Sequence, residues 1–148
     1  MKVKIYSINK SGSDEFLPII KNFQKMISRF AKVEDYSLFD KKLSAVRGRE
    51  AKAIYSKILT PKLGAFNVAL DLGGKSMDSF EFSKLITDRN EINFFIGGAW
   101  GFEDNFLQKC DRLLSLSNLT FSHKLAKVLL YEQIYRGFAI INNHPYHK

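Results

Sequence analysis

The sequence has little cysteine, few acids relative to bases and no long apolar run, and each shortage excludes a class of protein. Cys110 is the only cysteine among 148 residues, so neither an internal disulfide nor a zinc site built from cysteines can form. No run of 18 apolar residues occurs, and the charged start at residues 1–5 does not resemble a signal peptide. We therefore expect a cytoplasmic protein without a membrane partner, in which Cys110 is a small, partly buried side chain.

Apolar and basic side chains are what the chain has in quantity. Hydrophobic residues make up 45% of the sequence and include 13 Phe, which argues against disorder. The length suits one domain over residues 1–148. The net charge is +8. Between positions 41 and 62, Glu50 is the only acid among seven cations, which are Lys41, Lys42, Arg47, Arg49, Lys52, Lys57 and Lys62. This segment is either a solvated helix flank or a face that binds a polyanion, and its charge density favours nucleic acid.

Apolar periodicity predicts strands that alternate with helices. The predicted strands span residues 3–8, 33–39, 66–72, 92–96 and 112–116. The predicted helices span residues 13–29, 44–59, 77–88, 103–109 and 123–142. Ser13 and Ser122 are the expected caps of the first and last helices, and Phe80 is expected to point inward. The pattern predicts an α/β fold whose sheet is mostly parallel, with helices on both faces.

The fourth predicted strand is nearly all apolar, which is typical of a central strand, and it runs into the glycines Gly97, Gly98 and Gly101. A second loop, residues 116–121, follows the fifth strand. Ligands of parallel sheets bind at the carboxyl ends of strands, where both loops fall. A glycine loop is most often only a tight turn, but two loops at one sheet edge favour a ligand pocket.

The last predicted helix leaves little polar surface, because apolar residues occupy most of its positions from Leu125 to Ile141. A helix that is apolar nearly all round must be covered on more than one side. We therefore expect a homodimer. Glu132 and Arg136 lie four residues apart on this helix and are placed to form an ion pair.

Several common chemistries lack their residues. The glycine loop has no P-loop lysine followed by Ser or Thr, it is not a dinucleotide fingerprint, and no H-E-x-x-H occurs. His144 and His147 are separated by Pro145 and have no acid nearby, so we expect no metal site. Ser117 and His123 have no orienting acid that the sequence identifies, which argues against acyl transfer.

Five motifs in order resemble the RlmH-type SPOUT methyltransferases, bacterial enzymes that methylate N3 of a pseudouridine in large-subunit ribosomal RNA. The motifs are Leu70-Asp71-x-x-Gly74-Lys75, Phe95-Ile96-Gly97-Gly98-x-x-Gly101, Leu116-Ser117-x-Leu119-Thr120-Phe121-x-His123, Glu132-Gln133-x-Tyr135-Arg136 and Asn143-His144-Pro145-Tyr146-His147-Lys148. Each is weak alone, but together they cover essentially the whole chain. Two positions depart from the family: Ala99-Trp100 where relatives commonly have Pro-Glu, and Lys124 where they usually have proline.

The resemblance implies a SPOUT fold with a C-terminal trefoil knot, a rare exception to unknotted topology, and a homodimer that holds S-adenosylmethionine in the knotted loops. Carried over by motif, the expected cofactor contacts are Leu70, Gly97, Gly98, Leu116, Ser117, Asn118, Leu119, Thr120 and Phe121. The expected catalytic residues are His147 and Tyr146, which would position the nucleotide, and Arg136, which would hold phosphate. The alternative is that this tail only closes the dimer.

The function that the resemblance implies is S-adenosylmethionine-dependent methylation of N3 of a pseudouridine in large-subunit (23S) ribosomal RNA, with the assembled ribosome as the substrate. Two alternatives stay open. The first alternative is a ribosome-binding protein that does not transfer methyl groups, and the Ala99-Trp100 change keeps this alternative open. The second alternative is a SPOUT enzyme that acts on transfer RNA. The short chain argues against the latter, because it has no appended RNA-binding domain.

Overall fold

The computed structural model describes all 148 residues, and five strands alternate with five α-helices along the chain. The strands are β1 (Lys2–Ile8), β2 (Lys32–Leu38), β3 (Asn67–Ser76), β4 (Glu91–Ile96) and β5 (Arg112–Ser115). The helices are α1 (Leu17–Ile27), α2 (Gly48–Leu59), α3 (Ser79–Ile86), α4 (Asp104–Gln108) and α5 (His123–Ile141). Two short 3₁₀ helices, Lys41–Ser44 and Thr60–Lys62, flank α2. None of the helices combines the length and hydropathy needed to cross a membrane.

The strands form one sheet in the order β2-β1-β4-β3-β5, and every neighbouring pair is parallel. The predicted parallel α/β sheet is therefore confirmed, as is the central position of β4 between β1 and β3. Because all strands point the same way, the carboxyl ends of β3, β4 and β5 meet at one edge of the sheet.

Helices cover both faces of the sheet, as predicted. Residues of α1, α3 and α5 pack with Phe94 in one core. Residues of α2 and α4 pack with Phe95 in a second core, where Phe95 meets Phe106 at a ring-centroid distance of 5.4 Å. The alternation of side chains along a strand sends Phe94 and Phe95 to opposite faces, and both are fully buried. The two cores therefore share β4.

The first helix begins later than predicted. Ser13 does not cap it; Asp14 instead accepts hydrogen bonds from the backbone N–H groups of Phe16 at 2.9 Å and Leu17 at 3.0 Å. Pro18 stands in the first turn, where its missing N–H and fixed φ are tolerated. The carboxylate and the proline together set the helix start at Leu17, and the helix ends at Ile27 rather than near Arg29.

The second predicted helix divides into two elements. Asp40 accepts a hydrogen bond from the Lys42 N–H at 2.8 Å and starts the 3₁₀ helix Lys41–Ser44. The α-helix begins only at Gly48, whose φ is +52°, a conformation that breaks the helical path. Ala45, expected on the apolar face, is consequently exposed between the two elements.

Phe80 was predicted to point inward, and this prediction is wrong, since its side chain is 53% exposed. The helix α3 has only eight residues and is fixed at its start by a capping box between Asp78 and Glu81. This register buries Phe82 and Ile86, and Phe80 lies on the opposite side of the helix from Phe82. The cap of α5 is as predicted: Ser122 Oγ accepts a hydrogen bond from the Leu125 N–H at 3.3 Å.

Cys110, directly after α4, is half-buried, as the sequence predicts. Its Sγ lies 3.6 Å from the backbone oxygen of Phe106. Burial, with a smaller contribution from the charge of Asp111, raises the pKa of the thiol to about 11. The thiol is therefore protonated at neutral pH and behaves as a small core side chain.

A buried polar cluster ties α5 to the sheet and to α1, and sequence patterns do not reveal it. Lys127 Nζ lies 2.7 Å from Asp35 Oδ1 and donates a second bond to Ser7 Oγ at 3.2 Å. The Tyr131 hydroxyl donates to Asp35 Oδ2 at 2.5 Å and accepts from Gln24 Nε2 at 2.9 Å. Burial, followed by the charge of Asp35, raises the pKa of Tyr131, so its hydroxyl remains a donor.

Replacing Asp35 with alanine is expected to lower the free energy of unfolding by about 3–5 kcal/mol, because it leaves Lys127 buried without a counter-charge. Urea denaturation followed by circular dichroism measures the change. Adding Lys127→Met to the same variant should recover part of the loss. Glu34→Ala on the same strand is the matched control and should cost less, because Glu34 pairs with lysines at the surface. Equal losses for both single variants would contradict this account.

Candidate methyltransferase site

A cavity of about 650 Å³ opens at the carboxyl ends of β3, β4 and β5. Three segments of the chain form its walls: residues 70–72, where the pairing of β3 with β5 is irregular, residues 96–102 from the end of β4 onward, and most of residues 114–123 from the end of β5 onward. Lys52 of α2 and Ala126 of α5 complete the lining. The two loops that the sequence analysis assigned to one pocket therefore meet in one cavity.

Eight of the nine residues predicted to contact the cofactor line this cavity. They are Leu70, Gly97, Gly98, Leu116, Ser117, Leu119, Thr120 and Phe121. Asn118, the ninth, is exposed and is not part of the lining. The two leucines of this loop differ in exposure. Leu119 is 70% exposed at the mouth of the cavity, while Leu116 packs against the first core.

The glycine loop is a tight turn held against α2. The Gly101 N–H donates to the Gly98 carbonyl oxygen at 3.2 Å, and Gly101 has a φ of +77°, which favours glycine. At Gly98 a Cβ atom would lie 2.3 Å from Tyr55 Oη and 2.5 Å from its Cζ. Only glycine can therefore occupy position 98 without displacing Tyr55 or the turn.

The loop at residues 116–121 keeps most of its peptide groups unbonded. The Ser117 carbonyl oxygen accepts from Ser115 Oγ at 3.0 Å, and the Leu119 N–H donates to Ser117 Oγ at 3.0 Å. No other hydrogen bond within the chain involves a peptide group of this loop. Backbone N–H and C=O groups normally find partners, so this loop has donors and acceptors to offer a ligand.

Three titratable side chains line the cavity: Lys52, Asp71 and His123. Asp71 Oδ2 accepts from the Gly73 N–H at 3.0 Å. His123 is half-buried at the first residue of α5, between this cavity and a smaller one of about 260 Å³. Burial lowers the pKa of His123, and the charges of Lys124 and Lys127 lower it further. His123 is therefore the neutral histidine of the cavity at pH 7.

The structure brings the predicted catalytic residues Arg136, Tyr146 and His147 together around Glu132. The Arg136 Nε and the Tyr146 hydroxyl each donate to Glu132 Oε1 at 3.0 Å, which confirms the predicted pairing of Glu132 with Arg136. Arg136 Nη1 lies 3.1 Å from His147 Nδ1, and the His147 ring meets Phe80 edge-on at 4.8 Å between ring centroids. Phe80 therefore contacts the C-terminal tail instead of the core.

The hydrogen bonds of the tail assign a donor and an acceptor to each contact. A guanidinium only donates hydrogen bonds, so His147 Nδ1 is the acceptor in its contact with Arg136, and the N–H of the ring lies on Nε2. The bond with Glu132 raises the pKa of Arg136. Burial, followed by the bond with Glu132, raises the pKa of Tyr146, so its hydroxyl stays protonated. His147 thus presents a donor at Nε2, whereas the Tyr146 proton is donated to Glu132, and none of the three residues lines the cavity of its own chain.

The seven cations of the basic segment, residues 41–62, form what we call the basic surface. Six of the seven side chains are exposed, and Lys52 is partly buried where it reaches the cavity. None of the seven lies within ion-pair distance of a carboxylate of the chain. Their charge is therefore available to a polyanion.

Sequence reasoning missed four residues of the site: Lys52, Tyr55, Trp100 and His123. His123 was considered for acyl transfer and as the end of the third motif but not as a cavity residue, although its place next to Ser122 at a helix start was a usable signal. Tyr55 supports the glycine loop from an element 43 positions away along the chain, and no local pattern reports such a contact.

We expect His123 to titrate below the ordinary histidine pKa of about 6.5. As the pH falls through 6.5, the unfolded chain binds a proton that the folded chain does not, so this residue makes the free energy of unfolding fall. Proton NMR titration, with His123→Gln for assignment, measures the pKa. Lys124→Gln should raise the pKa only in part, because burial is the larger cause. A His123 pKa at or above 6.5 would refute the environment described here.

Comparison with known proteins bears on what this cavity does. The family model described as "Predicted SPOUT methyltransferase" matches residues 1–147. Curated relatives named "Ribosomal RNA large subunit methyltransferase H" are similar over the whole of both chains. Identity is 50% over 151 residues in Aliarcobacter butzleri (strain RM4018), 47% over 153 in Sulfurovum sp. (strain NBC37-1) and 46% over 151 in Campylobacter jejuni subsp. jejuni (strain 81-176).

A solved structure, of a probable methylase family protein from Haemophilus influenzae Rd KW20, resembles the fold. Its TM-score is 0.57 at 15% sequence identity, and the similarity covers 99% of this chain and 70% of that one. The likeness concerns the fold alone. The full-length family match and the relatives at 42–50% identity go further: the chain belongs to the SPOUT methyltransferase family, whose α/β fold implies a C-terminal trefoil knot.

Proposed function

We propose that this protein methylates N3 of a pseudouridine in large-subunit ribosomal RNA and takes the methyl group from S-adenosylmethionine. The observation that carries the proposal is the cavity at the carboxyl ends of β3, β4 and β5, framed by a glycine turn and a loop of unbonded peptide groups. The relatives that are similar to this chain over its full length carry a name that states methylation of large-subunit ribosomal RNA. Residues 1–148 act in this proposal as one SPOUT methyltransferase domain.

The residues of the cavity suit S-adenosylmethionine. Its volume of about 650 Å³ lies in the range of small-molecule sites. Leu116 and Phe121 offer apolar walls for a flat purine, and the unbonded peptide groups of residues 116–121 offer donors and acceptors to its edge. Gly97 and Gly98 place bare backbone at the wall, so a ligand can approach the main chain closely.

S-adenosylmethionine, when bound, supplies an electrophilic methyl group on a sulfonium. The chain must hold N3 of the base in line with that methyl group, keep water out and allow the N3 proton to leave. Orientation and desolvation contribute much of the rate in such transfers. His147 fits the orienting part because its Nε2 presents a hydrogen-bond donor. Tyr146 fits it through its ring and the acceptor lone pairs of its hydroxyl, whose proton is donated to Glu132. In the described arrangement His147 Nε2 already carries a proton, which supports positioning rather than proton removal.

The separation between cavity and tail supports a homodimer that assembles each site from two subunits. Ala126 lines the cavity, while Arg136 lies ten residues further along α5, about 15 Å along the helix axis. The tail of a chain therefore contributes no residue to the lining of that chain's own cavity. In a two-fold dimer the partner's tail takes this place, and its Arg136 holds a phosphate of the nucleotide.

The basic surface is the proposed contact with the phosphates of ribosomal RNA. Its cations have no carboxylate partners within the chain, and their release of counterions on binding would supply salt-dependent affinity. A substrate on the ribosome would place the protein in the cytoplasm.

The proposal is tested by transfer of labelled methyl from S-adenosylmethionine to ribosomes with and without pseudouridine. We expect label only on ribosomes that contain pseudouridine, because N3 of that base is the proposed nucleophile. Mass spectrometry of digested RNA locates the methyl group. Cofactor binding without label on these ribosomes would instead indicate another RNA, such as transfer RNA. Ribosome binding with neither label nor cofactor binding would indicate a binding protein without methyl transfer.

Mixed dimers test whether the tail acts on the partner's cavity. Gly98→Ala disrupts the cavity, since the added Cβ would overlap Tyr55, and His147→Ala removes a tail residue. Each variant alone should transfer methyl groups about tenfold more slowly or worse. Subunits of the two variants, unfolded and refolded together, should recover up to about one quarter of wild-type activity, because half of the dimers then hold one intact site.

The control for this experiment is a mixture of the same two variants that are refolded separately. It should stay at the activity of the single variants until the subunits exchange. A co-refolded mixture with no gain over this control would mean that cavity and tail act within one subunit, and full activity of His147→Ala would remove that residue from the reaction.

A further inference from the structure

Trp100, the only tryptophan of the chain, stands at the mouth of the cavity. It occupies the third position of the turn Gly98–Gly101 and is 46% exposed. No ring–ring or cation–ring contact within the chain involves it. A large aromatic side chain is thus held at the opening of the site without a packing role that accounts for it.

The backbone that carries Trp100 is fixed from two sides. The Gly101 N–H closes the turn on the Gly98 carbonyl oxygen at 3.2 Å, and Gly98 lies against the ring of the buried Tyr55. The indole is therefore an exposed face on a rigid support.

The surroundings indicate what the indole contacts. Lys52, from the basic surface, lines the same cavity as Trp100 and has no ion-pair partner in the chain. A flat apolar face and an unpaired cation in the lining of one cavity match a nucleobase with its phosphate, the combination that binds unpaired nucleotides. A second copy of this chain would bring a net charge of +8 against the same cations, so charge complementarity favours RNA over a protein partner.

We propose that Trp100 stacks on an RNA base that neighbours the methylated nucleotide, while Lys52 contacts the adjoining phosphate. Trp100 is then a positioning residue that aligns the substrate at the cavity mouth and takes no part in the methyl transfer itself. This inference rests on the proposed function, because it assumes that an RNA strand enters the cavity. The inference adds to the proposed function a substrate contact that is made by the subunit whose cavity holds the cofactor. The partner's tail would contact the substrate from the other side.

The test compares methyl transfer to pseudouridine-containing ribosomes by wild type, Trp100→Ala, Trp100→Phe and Phe39→Ala. Stacking of one base on an aromatic ring contributes enough that Trp100→Ala should raise KM for ribosomes about 5- to 100-fold, with little change in kcat. Trp100→Phe should recover a substantial part of the loss, since a smaller ring still stacks. Phe39→Ala, an exposed aromatic outside the cavity lining, is the matched control and should leave KM unchanged.

Calorimetric titration with S-adenosylmethionine and size-exclusion chromatography separate this role from others. Trp100→Ala should bind the cofactor and assemble as wild type does. A wild-type KM in Trp100→Ala overturns the inference, as does a lost cofactor affinity or a changed oligomeric state, which would assign Trp100 to the cofactor or to an interface. If the wild-type protein transfers no methyl group, the proposed function fails, and co-sedimentation with ribosomes then tests the role of Trp100. Unchanged ribosome binding by Trp100→Ala overturns the inference, and weakened binding supports it.

Discussion

The burial of β4 on both faces is the constraint on which the rest of the structure depends. Phe94 and Phe95 point into different cores, so helices must cover the sheet on each side. Once both faces are covered, a ligand can meet the main chain of the sheet only where strands end. The glycine turn after β4 opens such an end, and residues 70–72 of β3 and the loop after β5 lie next to it because the strands are parallel. The position of the cavity follows from the packing of two phenylalanines.

The two walls of the cavity solve different physical problems. The glycine turn is rigid, because Tyr55 and the Gly98–Gly101 hydrogen bond hold it, and it therefore fixes where a ligand stops. The loop at residues 116–121 instead leaves its peptide groups unbonded, which is unfavourable unless water or a ligand satisfies them. The rigid glycine turn and the unbonded peptide groups of the opposite loop together select a ligand by the hydrogen-bonding groups on its edge. They also exclude water when that ligand is bound.

The sequence predicts the parts of this structure that depend on local pattern. The parallel sheet, the central β4, the Ser122 cap and the meeting of two loops follow from apolar periodicity and glycine placement. Two errors are local, because Asp14 and Gly48 set helix starts that apolar periodicity does not report. The other errors arise where a residue distant in sequence decides. Phe80 faces the tail because His147 packs against it, and no periodicity within α3 reports that contact. The buried pair of Asp35 and Lys127 joins residues 92 positions apart, and neither sits in a pattern that distinguishes it from a surface charge.

The helix α5 connects these observations, because its two ends serve different sites. Its first residues line the cavity, and its later residues hold the tail through Glu132 and Arg136. Apolar side chains remain exposed at both ends, at Leu125 and Ile141, which suits a partner that covers the whole helix. If two copies of α5 pack antiparallel about a two-fold axis, the tail end of one meets the cavity end of the other. The same symmetry that would bury the exposed apolar residues would then also complete both sites, so dimer stability and catalysis would depend on one interface.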